Sequence, residues 1–180
     1  MDDDPQIQFR PLALDHLELM HRWLNDNFVA RWWPGWPRLE QVREKYLPRI
    51  DGTDPTKGYI IELDATPVGF IQCYRDVADA AHFASLFEEP ERAAGIDLFL
   101  GDRAYAYRGL GPRVIRRFLR EVVFEPLATN VCMIDPAQNN FAAIRAYKKA
   151  GFHYVSTVHA PGELEPSYVM ILRREELSDE

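Results

Sequence analysis

Cysteine is scarce in this chain. Only Cys73 and Cys132 occur in 180 residues, and each lies inside an apolar run. That excludes a disulfide framework and predicts two reduced core thiols in a reducing compartment. The five histidines, His16, His21, His82, His153 and His159, are scattered and form no compact metal motif, so no metal cofactor is expected. No apolar run approaches the roughly 20 residues that span a bilayer. The opening residues, Met1-Asp2-Asp3-Asp4-Pro5, are acidic where an export signal is basic and then apolar. Positive charge is in deficit: 21 Lys and Arg face 28 Asp and Glu, for a net charge of −7. A nucleic-acid binder ordinarily carries a basic face, so neither nucleic acid nor membrane is expected as a partner. The acidic balance suits a cationic small molecule, because an acidic cleft raises the local concentration of cations. The same charge also serves solubility alone.

What the chain does contain is ordinary for a globular protein: 47% hydrophobic and 27% charged residues. The length suits one domain over residues 1–180, with no repeat and no low-complexity linker. Residues 7–12 read as a first strand. Leu14, Leu17, Met20 and Leu24 then recur at helical spacing. The stretch from Phe28 to Pro37 holds three tryptophans and two prolines and reads as a loop with an aromatic surface. Leu39, Val42 and Tyr46 resume a helical pattern. Residues 58–63 and 68–74 read as a hairpin turned at Asp64-Ala65-Thr66-Pro67. Residues 76–94 lack periodicity and read as an irregular excursion. A buried strand at 94–100, a helix at 112–124, a strand at 131–134, a helix at 139–150 closed by Gly151, and strands at 152–158 and 167–172 complete the order. The expected class is mixed α/β, with a central sheet flanked by helices.

Two constellations carry chemistry. The first is Gly95-Ile96-Asp97-Leu98-Phe99-Leu100, followed by Tyr107-Arg108-Gly109-Leu110-Gly111-Pro112-Arg113 and an amphipathic helix. Strand, glycine turn and helix N-terminus together suit an anion, because first-turn N–H groups and the helix dipole face it. No Gly-Lys-Ser/Thr follows, so this is no Walker loop, and it lacks the third glycine of a dinucleotide fingerprint. A tight turn alone would account for it equally well. The second constellation runs from Asp135 to Phe152. Within it Asn140 and Tyr147 lie seven residues apart, two helical turns, and share a face with Ala143 and Ile144. The purely structural alternative makes Asn140 a helix cap and Tyr147 a core residue.

Together these segments resemble the GNAT superfamily of acetyl-CoA-dependent acetyltransferases. Its characteristic pattern appears here as Asn140, Ala143-Ile144, Tyr147 and Ala150-Gly151-Phe152. Within the superfamily the chain is similar to the aminoglycoside 6'-N-acetyltransferases of the resistance type. The matches are Trp23-Leu24-Asn25, Trp32-Trp33, Tyr46-Leu47-Pro48, Gly95-Ile96-Asp97, Asp135-Pro136 and Ala143-Ile144-Arg145-Ala146-Tyr147. The resemblance implies the GNAT fold, a mixed and mostly antiparallel sheet. It implies that the backbone of Leu98, Phe99 and Leu100 binds the pantetheine arm of acetyl-CoA. Arg108, Gly109, Gly111 and Arg113 would cradle the pyrophosphate, and Asn140 and Ala143 would hold the cofactor arm. Asp97 would be the catalytic base, and Asp97 and Asp135 would bind the cationic substrate. Tyr147 would pack on the cofactor or protonate the leaving thiolate. Trp32 or Trp33, with Tyr46, would wall the sugar site.

Three departures from the family pattern stand out. Ala106 occupies a position where Gln or Arg is common, and Pro112 removes an N–H at the turn's exit. Residues 76–94 lack a tryptophan-rich acidic stretch, for which Phe83, Phe87, Glu88, Glu89 and Glu91 are candidate substitutes. Other readings are a siderophore-biosynthesis acyltransferase, in which histidine is expected in place of Asp97, and an enzyme of protein N-acetylation. A non-catalytic acyl-CoA-binding module is a further reading, disfavoured by Asp97, Asp135 and Tyr147.

Overall fold

A computed structural model describes residues 5–33, 35–75, 93–159 and 165–177. The expected excursion at 76–94, with Phe83, Phe87, Glu88, Glu89 and Glu91, lies almost wholly outside the described residues. The strands are β1 (Ile7–Pro11), β2 (Lys57–Leu63), β3 (Thr66–Arg75), β4 (Ala93–Leu100), β5 (Val131–Ile134), β6 (His153–Val158) and β7 (Ser167–Arg173). The helices are α1 (Leu17–Leu24), α2 (Asn27–Ala30), α3 (Leu39–Asp51), α4 (Leu110–Phe118) and α5 (Phe141–Ala150). The sheet order is β1-β2-β3-β4-β5-β7-β6. β4 and β5 run parallel, while the β1–β2, β2–β3, β5–β7 and β6–β7 pairs are antiparallel. This is the mixed, mostly antiparallel sheet of the GNAT fold.

The chain divides into two compact units, Met1–Cys73 with Asp97–Arg108, and Tyr74–Ile96 with Gly109–Glu180. In the first, α1 and α3 bury Leu17, Met20, Leu24, Val42 and Tyr46 with Ile60, Phe70 and Phe99 of the strands. Leu14 does not join the apolar stripe. It lies in a short 3-10 turn ahead of α1 and is 62% exposed. The hairpin turns at Asp64 and Ala65, both at positive φ (47° and 63°), the backbone twist that tight hairpins require.

Three boundaries are corrected here. The tryptophan segment opens with a helical turn: Asp26 accepts the Phe28 N–H at 2.8 Å and caps the one-turn helix α2, after which Trp32, Trp33 and Trp36 lie outside helices and strands, as expected. α3 does not end near Tyr46 but runs through Pro48 to Gly52, whose φ of 84° gives the left-handed stop. The helix read at 112–124 starts at Leu110 and changes at Leu119–Phe124 to a π-helical segment. In the second unit, β5, β6 and β7 surround Met133, Val169 and Ile171. Cys73 and Cys132 are not joined in a disulfide and are both buried, as the apolar runs predict.

Candidate active site

In a strand, alternate side chains share a face. Phe70 and Gln72 therefore point the same way from β3, and Asp97 and Phe99 the same way from β4. Their ring contacts and hydrogen bonds show that both pairs face α3 and the tryptophan segment. Phe70 and Phe99 lie 5.7 Å apart, Tyr46 meets Phe70 at 5.6 Å, and Trp33 meets Phe99 at 5.1 Å. Beyond this aromatic floor lies a polar chain. Gln72 Nε2 donates to Asp97 Oδ2 at 2.8 Å. Arg49 Nη1 donates to Gln72 Oε1 at 2.5 Å, and Arg49 Nε to Asp54 Oδ2 at 3.3 Å. The Arg49 guanidinium also sits 5.2 Å over the Tyr46 ring.

These contacts set the electrostatics. Burial pushes the Tyr46 hydroxyl above its ordinary value, as does the negative charge of Asp97; a hydrogen bond with Trp33 and the charge of Arg49 pull the other way. Asp54 ends below the ordinary carboxylate range. Desolvation raises it, but hydrogen bonds from Thr56 and Arg49, with Arg49's charge, outweigh that. Beside the site in β3, burial pushes the Cys73 thiol up to about 12, so it stays protonated at neutral pH and is no nucleophile.

The structure sorts the substrate-wall candidates. Trp33 joins Tyr46, Phe70 and Phe99, whereas Trp32 is 40% exposed with Arg31 stacked on it at 4.9 Å. Tyr46 does not line an open surface. It is 1% exposed, because α3 lays its apolar face on the sheet at that position, so it supports the polar chain from beneath. Gln72 and Arg49 were not anticipated from sequence. The available signal was a lone amide in the apolar run of β3, which must find hydrogen-bond partners when buried.

The second unit supplies a different surface, made of backbone. Gly109, at φ 79°, stands at the N-terminus of α4 with no side-chain cap. A Cβ there would meet nothing within 4 Å, so the position needs glycine for its backbone angle and not for space. The first-turn N–H groups of α4 thus carry no side-chain cap, and Pro112, buried in that turn, has no N–H to satisfy. Gly111 follows on this turn; a Cβ on it would lie 3.6 Å from that of Ala146 in α5. Arg113 is half-buried on the same turn; Arg108, described with the first unit, is exposed. Arg116 Nη1 donates to the Lys149 carbonyl at 2.9 Å and ties the end of α5 to α4.

On α5, Asn140 is the N-cap: its Oδ1 accepts the Ala143 N–H at 3.2 Å. The cap uses the oxygen, so any hydrogen bond that Asn140 donates to a ligand must come from its amide nitrogen. Ala143 is half-buried, and Tyr147 is 7% exposed with its ring edge-on to Phe152 at 5.4 Å. Asp135 follows the last residue of β5 and is half-buried. The ladder between β4 and β5 covers Ala93–Gly95 against Val131–Met133; Leu98, Phe99 and Leu100 lie beyond it. A strand whose parallel partner stops short offers backbone donors and acceptors to an extended ligand. Among the described residues no group of His, Cys, Asp or Glu could hold a metal ion, and no helix is long and apolar enough to cross a membrane.

Comparison with known proteins fits this geometry. The model of the acetyltransferase (GNAT) domain matches residues 13–160. An aminoglycoside N(6')-acetyltransferase type 1 of Klebsiella pneumoniae is 28% identical over 97% of this chain and 86% of its own length. The crystal structure of aminoglycoside acetyltransferase AAC(6')-Ib with coenzyme A superposes with a TM-score of 0.82, at 28% identity over 95% of this chain and 96% of that one. The same enzyme in complex with coenzyme A and kanamycin matches equally well, again with a TM-score of 0.82, 28% identity and 95% and 96% coverage. The anion-ready turn, the interrupted strand ladder and the match over most of the chain lead to one conclusion: this chain belongs to the GNAT acetyltransferase family.

Proposed function

We propose that the protein is an aminoglycoside 6'-N-acetyltransferase. It transfers the acetyl group of acetyl-CoA directly to the 6'-amine of a cationic aminoglycoside, and it works as a single domain in the cytoplasm. The observation that carries the reading is the Asp97 carboxylate, hydrogen-bonded by buried Gln72 in a chain similar over 97% of its length to an enzyme of that name.

The chemistry assigns the roles. An alkyl ammonium has a pKa near ~10.4 and cannot attack a thioester until it loses a proton. Asp97 accepts that proton, directly or through water. The neutral amine then attacks the thioester carbonyl, and a backbone N–H of Leu98, Phe99 or Leu100 stabilises the oxyanion. The adduct nitrogen gives up its second proton as collapse expels the thiolate of coenzyme A; Tyr147 protonates the thiolate and regains a proton from that nitrogen through water. Gly109, Gly111, Arg108 and Arg113 hold the pyrophosphate, and Asn140 and Ala143 flank the pantetheine arm. Trp32 or Trp33, with Tyr46 behind it, walls the sugar, and Asp135 binds a further ammonium group. No covalent enzyme intermediate is needed, in keeping with the inert Cys73. The aspartate at position 97 and these relatives favour an aminoglycoside over the hydroxamate precursors of siderophores.

The test is to incubate the enzyme with acetyl-CoA and kanamycin and locate the acetyl group by NMR. Acetylation of the 6'-nitrogen is expected. Acetylation of another amine would refute the assigned regiochemistry. Silence with aminoglycosides but turnover with hydroxylysine would move the enzyme to siderophore metabolism.

A further inference from the structure

We propose that Arg49 and Gln72 form a positioning relay that fixes the orientation of Asp97 toward the substrate amine. The inference rests on the assignment of Asp97 as the base and adds two residues to it.

The argument starts from what each group can donate. A guanidinium only donates, and an ionised carboxylate only accepts. Gln72 stands between one of each. Its Oε1 must therefore face Arg49 Nη1 (2.5 Å), and its Nε2 must face Asp97 Oδ2 (2.8 Å). Rotating the amide by half a turn would set oxygen against carboxylate and N–H against N–H at hydrogen-bond distance. A glutamine with two neutral or ambivalent partners has no such preference. Here the cation on one side dictates which atom meets the carboxylate on the other.

The relay is anchored at its far end. Arg49 spends Nε on Asp54 Oδ2 at 3.3 Å, and Asp54 Oδ1 is held by the Thr56 N–H at 2.8 Å. The guanidinium plane is further seated on the Tyr46 ring at 5.2 Å, and that ring is fixed among Trp33, Phe70 and Phe99. Gln72 is 6% exposed and the Arg49 side chain 9%, so water has little access to replace either contact. A lysine could not reproduce the arrangement, because the two arginine bonds leave from different nitrogens of one rigid plane. Stability alone explains the relay poorly. A buried charge network is often no more stabilising than apolar residues of similar volume, whereas it does fix orientation. The site gains a carboxylate held in a single pose, and poses a fraction of an ångström away are costly in proton transfer.

A double-mutant cycle tests this, with kcat, KM for kanamycin and Kd for acetyl-CoA measured on each variant. Gln72→Leu should lower kcat ~10–100-fold, a part of what general-base catalysis contributes, and leave acetyl-CoA Kd within about twofold. In an Asp97→Asn background the same substitution should change kcat by less than about twofold, since a residue acting through Asp97 has nothing left to position. Arg49→Lys keeps the charge and carries the same test if Gln72→Leu does not fold. It should lower kcat ~3–10-fold, again only while Asp97 is present. Losses that multiply in the double variants overturn the relay, as does a change in acetyl-CoA Kd as large as the change in kcat. Wild-type turnover in Asp97→Asn alone overturns the base assignment and the relay with it. Loss in Asp97→Asn together with a multiplicative cycle overturns only the relay.

Discussion

The two units carry their candidate residues in opposite ways. The first uses side chains: Asp97, Gln72, Arg49 and Asp54 joined end to end over the Tyr46, Phe70 and Phe99 rings. The second uses backbone: an exposed glycine at φ 79° and the first turn of a helix left without a side-chain cap. Backbone cradles suit a cofactor whose phosphates ask only for N–H groups and charge. Side-chain networks suit the reacting centre, where one proton must move between two specified atoms. The difference predicts that substitutions in the Arg49–Gln72–Asp97 chain act on turnover and those at the Gly109–Gly111 turn on cofactor affinity.

The largest expected effect is Asp97→Asn. It keeps the shape of the side chain and removes the base, so kcat should fall ~10²–10⁴-fold while acetyl-CoA affinity stays within about twofold. Steady-state kinetics and calorimetry together check this, and equal loss of both quantities would break the division between the units. Tyr147→Phe is the informative exception, a side chain of the second unit assigned to chemistry. Its kcat should fall about ten- to a hundredfold, the low end for a general acid, because a thiolate needs little help to leave. Unchanged turnover would return Tyr147 to a packing role against Phe152.

Gly109→Ala sharpens the comparison from the other side. A Cβ meets no neighbour there, but the left-handed conformation costs an alanine about 1–2 kcal/mol. Acetyl-CoA should bind several-fold more weakly, with kcat at saturation little changed. The smallest effect is a negative one. With its thiol pushed up to about 12, Cys73 is protonated at neutral pH and should resist alkylation in the native enzyme, reacting only on unfolding. Fast native labelling of Cys73 would show that this thiol is neither buried nor protonated as the structure has it.

The same contrast explains how much of the molecule was legible in the sequence. Backbone devices leave marks in local sequence. Gly109 before an amphipathic run, Asn140 seven residues ahead of Tyr147, and Gly151 closing α5 all stand where the sequence predicts. β5 begins and ends at the residues expected from its apolar run. The relay left no such mark. Arg49, Gln72 and Asp97 are separated by 23 and 25 residues, and only the pairing of β3 with β4 beneath α3 brings them together. Arg49 also lies past Tyr46, the last residue of the helical pattern in the sequence, and α3 continues through Pro48 to Asp51. Tyr46, which the family resemblance puts in the sugar wall, lies on the buried face of α3 at 1% exposure, a placement its helical spacing alone does not reveal.

The most direct test of the whole account is the rate of thiol release from acetyl-CoA with two matched aminoglycosides, one bearing a 6'-amine and one a 6'-hydroxyl. The account predicts rapid release with the amine and none above background with the hydroxyl, because the proposed base, Asp97, takes its proton from an ammonium group. Equal release with both drugs, or none with either, would contradict it.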